Sequence, residues 1–170
     1  RQRQMCIRDR GTYQLNSYLQ SWVGNNINRK GDYQEIGTQK IYKNDKVIQL
    51  QNILRESYPS KEKYPLSNGQ IGFVKSINEG HINVMYVGIP HETFGFRGDK
   101  GEDQDAAIEL AYAITIHKSQ GSDFDTVFVV LPKTGRILSR ELIYTALTRA
   151  KKRVVLLVQD SIGWLSLIHI

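Results

Sequence analysis

The chain has 170 residues, of which 24% are charged, and a formal net charge of +6. That length suits one domain of ordinary size, or a domain with a small insertion. A single cysteine, Cys6, excludes an internal disulfide, and the C-terminal apolar run falls short of the ~20 residues that a membrane-spanning helix needs.

The two ends stand apart from the rest. Residues 1–10 (RQRQMCIRDR) and 165–170 (LSLIHI) fit neither the periodicity nor the turn chemistry of their neighbours. Both match translations of one sequencing-adapter DNA. CTG TCT CTT ATA CAC ATC encodes LSLIHI, and the opposite strand reads ATG TGT ATA AGA GAC, which encodes Met5 to Asp9. Both ends are therefore expected to be adapter-derived rather than native, the alternative being a genuine basic leader and apolar tail. Setting them aside removes four arginines and one aspartate, which lowers the formal charge from +6 to +3, and leaves about 154 residues. Cys6 goes with them. A native part without cysteine has no Cys-based metal site and suits a cytoplasmic protein.

Thr12 to Val23 spaces Leu15, Tyr18, Leu19 and Trp22 by three and four residues, which predicts an amphipathic helix. Gly24-Asn25-Asn26 ends it. Lys40 to Met85 changes character. VIQLQN follows Asp45-Lys46, IGFVKSI follows Asn68-Gly69, and HINVMYVGI follows Glu79-Gly80. Short apolar runs between Gly-containing turns predict a small antiparallel sheet or barrel. Arg55 to Pro65, polar and with two prolines, reads as a loop. Lys43, Lys46, Arg55, Lys61, Lys63 and Lys75 could meet phosphates or form a solvated face. His91 to Asp105 reads as an irregular connection, in which Phe94 and Phe96 either stack on bases or pack inward.

Ile108 to Ile116 is an apolar run of strand length, suited to a strand covered on both faces. A polar turn follows. Thr115 can cap it through Ser119, and Gly121 is expected to end it in a left-handed conformation. Open α/β sheets place ligand groups on such turns. The backbone N–H groups, with the side chains of His117, Lys118, Ser119 and Gln120, suit phosphate oxygens. Asp123 and Asp125 precede the strand Thr126 to Leu131, where a carboxylate can accept from ribose hydroxyls. Ser139 is a good N-cap for a helix from about Arg140 to Ala150. Leu142, Ile143, Ala146, Leu147 and Ala150 form its apolar stripe. Thr145, Thr148 and Arg149 lie off the centre of that stripe, so the Arg149 guanidinium could reach a ligand. A planar, permanently charged fork suits a γ-phosphate. Lys151, Lys152 and Arg153 are explained by the helix dipole alone. Val154 to Val158 forms a final buried strand.

AYAITIHKSQGSDFDTVFVVLP and RELIYTALTRAKKR together closely resemble the fifth and sixth motifs of superfamily 1 DNA helicases, in their RecD-like branch. GTYQLNSYLQ resembles the helix that follows the fourth motif. KNDKVIQLQN with NGQIGFV resembles a small β-barrel inserted into the second motor domain. The resemblance implies an α/β fold: a RecA-like parallel sheet (residues 11–38 and 108–164) with an inserted small antiparallel β-barrel (39–107). Thr115 and His117, with Lys118 and Ser119, would face the backbone of single-stranded DNA. Gly121, Asp123 and Gln120 would lie near the nucleotide, although the family usually carries Glu where this chain has Asp123. Arg149 would be a catalytic finger on the transferring phosphate.

The implied parent is an ATP-dependent DNA helicase or translocase using ATP and Mg²⁺. The sequence holds no GxxxxGK[ST] phosphate loop and no upstream pair of acidic Mg²⁺ anchors. Both belong to an N-terminal RecA-like domain of the same parent, so this chain alone is expected to be inactive as an ATPase. A non-motor nucleic-acid-binding protein or a degenerate helicase relative is the alternative.

Overall fold

A computed structural model describes residues 2–26, 31, 33–78, 80–97, 107–131, 139–159 and 165–169. The chain divides into two compact units, Arg1–Thr115 and Ile116–Ile170.

The first unit opens with helix α1, Gln2–Asn26, which extends the expected helix at both ends. Its apolar stripe faces outward: Tyr18 is 69% exposed and Trp22 59%. The inward face carries Asn16 and Gln20 instead. Asn16 is buried and mimics a strand neighbour, donating to the Ala113 carbonyl at 2.7 Å and accepting from the Ala113 N–H at 2.8 Å. Helical periodicity located the helix, but unpaired backbone groups beside it chose the face.

Nine strands follow: β1 (Tyr33–Ile36), β2 (Gln39–Tyr42), β3 (Lys46–Gln49), β4 (Ile53–Glu56), β5 (Lys63–Leu66), β6 (Ile71–Asn78), β7 (His81–Tyr86), β8 (Phe94–Arg97) and β9 (Ile108–Leu110). β1–β2 and β4–β5 are hairpins. The other five form an antiparallel sheet in the order β8-β7-β6-β3-β9. Hydrogen bonding among the described residues leaves β8 and β9 as its two edges, so the sheet does not close into a barrel. Val47, Val74, Ile82, Val84, Tyr86, Phe94, Phe96 and Leu110 build its core, joined by Ile36, Ile41 and Leu66 from the hairpins. Phe94 and Phe96 are fully buried, which settles their choice between stacking on bases and packing.

Two expectations need correction here. Arg55 to Pro65 is not a loop. It contains most of the β4–β5 hairpin, with Pro65 opposite Leu54, a position that a two-stranded ribbon tolerates because an edge N–H needs no partner. Ile108 to Ile116 is not one doubly covered parallel strand either. Only Ile108–Leu110 is a strand, and it pairs antiparallel with β3. Arg55, one of the candidate phosphate-binding cations, stacks over the Phe96 ring at 4.4 Å and donates to the Gly95 carbonyl.

The carboxylate of Asp45, fully buried, ties this unit together. It accepts from the Tyr42 N–H at 2.8 Å, the Tyr112 hydroxyl at 2.9 Å and the Gln20 amide at 2.5 Å. Turn, helix and the segment after β9 thus converge on one group.

The second unit contains β10 (Phe124–Leu131), α2 (Arg140–Leu147), β11 (Ala150–Gln159) and β12 (Leu165–His169). β10 and β11 pair in parallel, with α2 as the crossover helix between them. β12 pairs antiparallel with β11. This is the one parallel pair among the described residues, so the RecA-like expectation is met as an α/β unit and not as a full parallel sheet. Residues 2–10 continue α1 and residues 165–169 form β12; residues 1 and 170 lie outside the described residues.

Candidate functional site

The parallel register assembles the site. Phe124 and Ala150 are the first partners of β10 and β11. The Phe124 N–H donates to the Arg149 carbonyl at 2.9 Å. The residues just before them, Asp123 and Arg149, are therefore neighbours across strands spaced by roughly 4.8 Å. Arg149 Nη1 lies 3.6 Å from Asp123 Oδ1.

The end of α2 supplies the remaining hold on Arg149. Ser139 caps the helix, its hydroxyl accepting from the Leu142 N–H at 3.3 Å. Ala146 is buried, and the helix stops at Leu147 rather than Ala150 because Ala150 already belongs to the β11 ladder. Arg149 thus sits in the turn between helix and strand, with its N–H bonded to the Ala146 carbonyl at 3.3 Å. Its Nε donates to the Thr145 carbonyl at 3.3 Å and its Nη2 to the Thr148 hydroxyl at 3.4 Å. The side chain remains 24% exposed, and that of Asp123 is 51% exposed. Water screens such a pair, which is worth about 0–1 kcal/mol. It orients the guanidinium without locking it.

The polar turn before β10 is built by local bonds. The Ser119 hydroxyl donates to the Ile116 carbonyl at 2.7 Å, and the Ser119 N–H reaches the same oxygen at 3.2 Å. The Gln120 N–H meets the His117 carbonyl at 3.4 Å, and the Ser122 N–H meets the Ser119 carbonyl at 3.1 Å. Gly121 adopts φ +84 with open space around a would-be Cβ. Its requirement is conformational, as the sequence suggested.

The candidate residues separate accordingly. Arg149 and Asp123 come together at the amino ends of the two parallel strands, with Gly121 two residues before Asp123 on the turn. Open α/β sheets usually place their ligands at the carboxyl ends. His117 and Gln120 are exposed on the turn, and Lys118 is half-buried. Ser119 is buried, its hydroxyl committed to the turn. Thr115 is half-buried and is the last residue of the first unit. The sequence reading missed the roles of the Thr145 carbonyl and the Thr148 hydroxyl, which lie four and one residues before Arg149, within reach in any helical turn. It also missed an exposed pair at the same strand ends, Lys152 Nζ to Asp125 Oδ2 at 2.8 Å. Among the described residues no His, Cys, Asp and Glu side chains gather to hold a metal ion.

Residues 110–157 match the family of the UvrD-like helicase C-terminal domain. The chain is 42% identical over 90 residues to the RecBCD enzyme subunit RecD of Mycolicibacterium smegmatis, covering 52% of this chain and 15% of that protein. Over these residues the chain is similar to superfamily 1, RecD-like helicases. The chain is also 37% identical over 87 residues to the ATP-dependent RecD2 DNA helicase of Deinococcus radiodurans, covering 51% of this chain and 11% of the relative. An uncharacterised protein of Methanocaldococcus jannaschii is 33% identical over 126 residues, covering 69% and 11%. The chain thus spans 11% to 15% of the length of these relatives. The crystal structure of a Bacteroides Pif1 helicase with ADP-AlF3 and ssDNA shares the fold, with a TM-score of 0.55, 20% identity, and coverage of 85% of this chain and 37% of that one.

Proposed function

We propose that this chain is part of the second motor domain of an ATP-dependent DNA helicase or translocase, and that Arg149 is its arginine finger. The observation that carries the reading is the posture of Arg149: an arginine in the turn just before a strand, hydrogen-bonded at Nε and Nη2 and ion-paired at Nη1, with its side chain still partly open to solvent. Those residues fit one side of a polyphosphate. ATP with Mg²⁺, held chiefly by an N-terminal RecA-like domain, supplies phosphoryl-transfer chemistry when bound. Arg149 would neutralise charge that develops on the phosphoryl oxygens, a contribution worth roughly 10³–10⁵ in rate. Gly121 and Gln120 would shape the neighbouring wall of the nucleotide site.

Single-stranded DNA is the proposed partner. Exposed His117, with Lys118 and Thr115, would contact its phosphates, which fix position without reading sequence. Ser119 would act by holding the turn that presents them. This chain alone would not hydrolyse ATP, and cytoplasmic residence belongs to the same proposal. The decisive test is Arg149→Ala in the full-length parent. ATP turnover should fall by about 10³ or more while single-stranded DNA binding persists. Unchanged turnover would remove the finger assignment.

A further inference from the structure

We infer that Asp123 is a positioning residue that parks Arg149, making the ion pair a latch which the finger leaves when the motor closes. The inference rests on the finger reading above and goes beyond it, because it gives Asp123 a role toward a side chain rather than toward the nucleotide sugar.

Two observations and one chemical principle carry it. The carboxylate reaches the guanidinium itself, Oδ1 to Nη1 at 3.6 Å. The pairing is imposed by the backbone, since the Phe124 N–H to Arg149 carbonyl bond and the Phe124–Ala150 register place the two residues side by side. A carboxylate and a phosphate also compete for the same fork of donors. With Asp123 Oδ1 3.6 Å from Nη1, its negative charge opposes the approach of a second anion to that side of the fork. Aspartate is also a short side chain. From the adjacent strand end it reaches Arg149, and turning outward toward a sugar would give that contact up.

The pair is half-exposed, so the latch is weak, and this sets its purpose. A strong pair would abolish catalysis. A weak one delays the finger until closure around nucleotide and DNA outweighs it. Basal turnover without DNA then bears the cost of unlatching, whereas DNA-stimulated turnover, in which closure is already driven, bears little.

The test is steady-state ATP turnover of the full-length parent, with and without single-stranded DNA, for wild type, Asp123→Asn, Asp123→Glu and Arg149→Ala, and for the Asp123→Asn/Arg149→Ala double variant. Asp123→Asn should raise basal turnover about two- to fivefold, the range of a screened surface pair, and so lower the stimulation ratio by a similar factor. Asp123→Glu keeps the charge and should raise basal turnover less than Asp123→Asn does. The effect of Asp123→Asn should vanish when Arg149 is already alanine. Comparing ATP with 2′,3′-dideoxy-ATP separates the other role. If Asp123 served the ribose, Asp123→Asn would raise KM for ATP and erase discrimination against the dideoxy form. That result, or a basal rate unchanged or lowered in Asp123→Asn with wild-type melting behaviour, overturns the latch. If Asp123→Asn melts early, Asp123→Glu decides: a basal rate more than twice that of wild type would overturn the latch. Survival of turnover in Arg149→Ala would instead overturn the finger itself, a separate outcome.

Discussion

Arg149 Nη1 and Asp123 Oδ1 lie 3.6 Å apart because the residues after them, Ala150 and Phe124, are the first rung of a parallel pair. The ion pair is a product of register. An arginine whose base is fixed by β-pairing starts from the same place in every copy of the protein, and only its tip has freedom.

The turn before that rung depends on Gly121. At φ +84, an L side chain is strained even though nothing lies within 4 Å of its Cβ. Gly121→Ala should destabilise the chain by about 1 kcal/mol, measured by chemical denaturation. In the full-length parent it should weaken nucleic-acid binding together with turnover, because His117 and Asp123 lie on either side of the turn. A stability equal to wild type would show that the turn relaxes.

Gly72 is constrained by space instead. A Cβ there would sit 2.6 Å from Val84 Cγ1 and 3.0 Å from the Met85 carbonyl oxygen. The side chain could yield; the backbone of β7 could not. Gly72→Ala is expected to cost about 1–3 kcal/mol, with near-ultraviolet circular dichroism reporting a change around Tyr86.

Asp45 tests the polar centre of the first unit. Asp45→Ala would remove the acceptor shared by the Tyr42 N–H, the Tyr112 hydroxyl and the Gln20 amide. Losing hydrogen bonds to a charged group costs about 1.5–3 kcal/mol, so a loss of about that size is expected in urea titration. Asp45→Asn, which keeps acceptor capacity on one oxygen, should lose less. Equal losses for the two variants would argue against this account.

Ser139 and Glu141 set a pH dependence. Ser139→Ala should cost about 1 kcal/mol through loss of the cap. The Ser139 side chain, followed by the Glu141 backbone N–H, holds the exposed Glu141 carboxyl below its usual 4.5. A lowered folded pKa gives stability that is present above 4.5 and lost as pH falls through the folded value. The melting difference between wild type and Ser139→Ala should therefore narrow as pH falls from 7 to below 4.5. A constant difference would assign the whole effect to the Leu142 N–H.

Sequence made the local pieces readable. VIQLQN, IGFVKSI and HINVMYVGI each follow an Asp-Lys or a Gly turn and became β3, β6 and β7; RELIYTAL with its serine cap became α2. These features are written within a few residues. Pairings across long separations are not. The antiparallel partner of Ile108–Leu110 lies some sixty residues earlier in β3, and its apolar run looks the same for a parallel neighbour. The outward stripe of α1 was misleading because Asn16 and Gln20 found backbone and carboxylate partners far along the chain. At the site, Arg149, Gly121 and Asp123 were each visible as residue types, but the contact between two of them required the β10–β11 register.

The bond from the Phe124 N–H to the Arg149 carbonyl has a consequence for engineering. It is made by main-chain atoms, so it survives any substitution at position 149. The socket and its contents are separable. A lysine, a histidine or a photocaged residue placed at 149 would start from the same anchored point, and the chemistry presented there could be exchanged with little change to the frame that aims it.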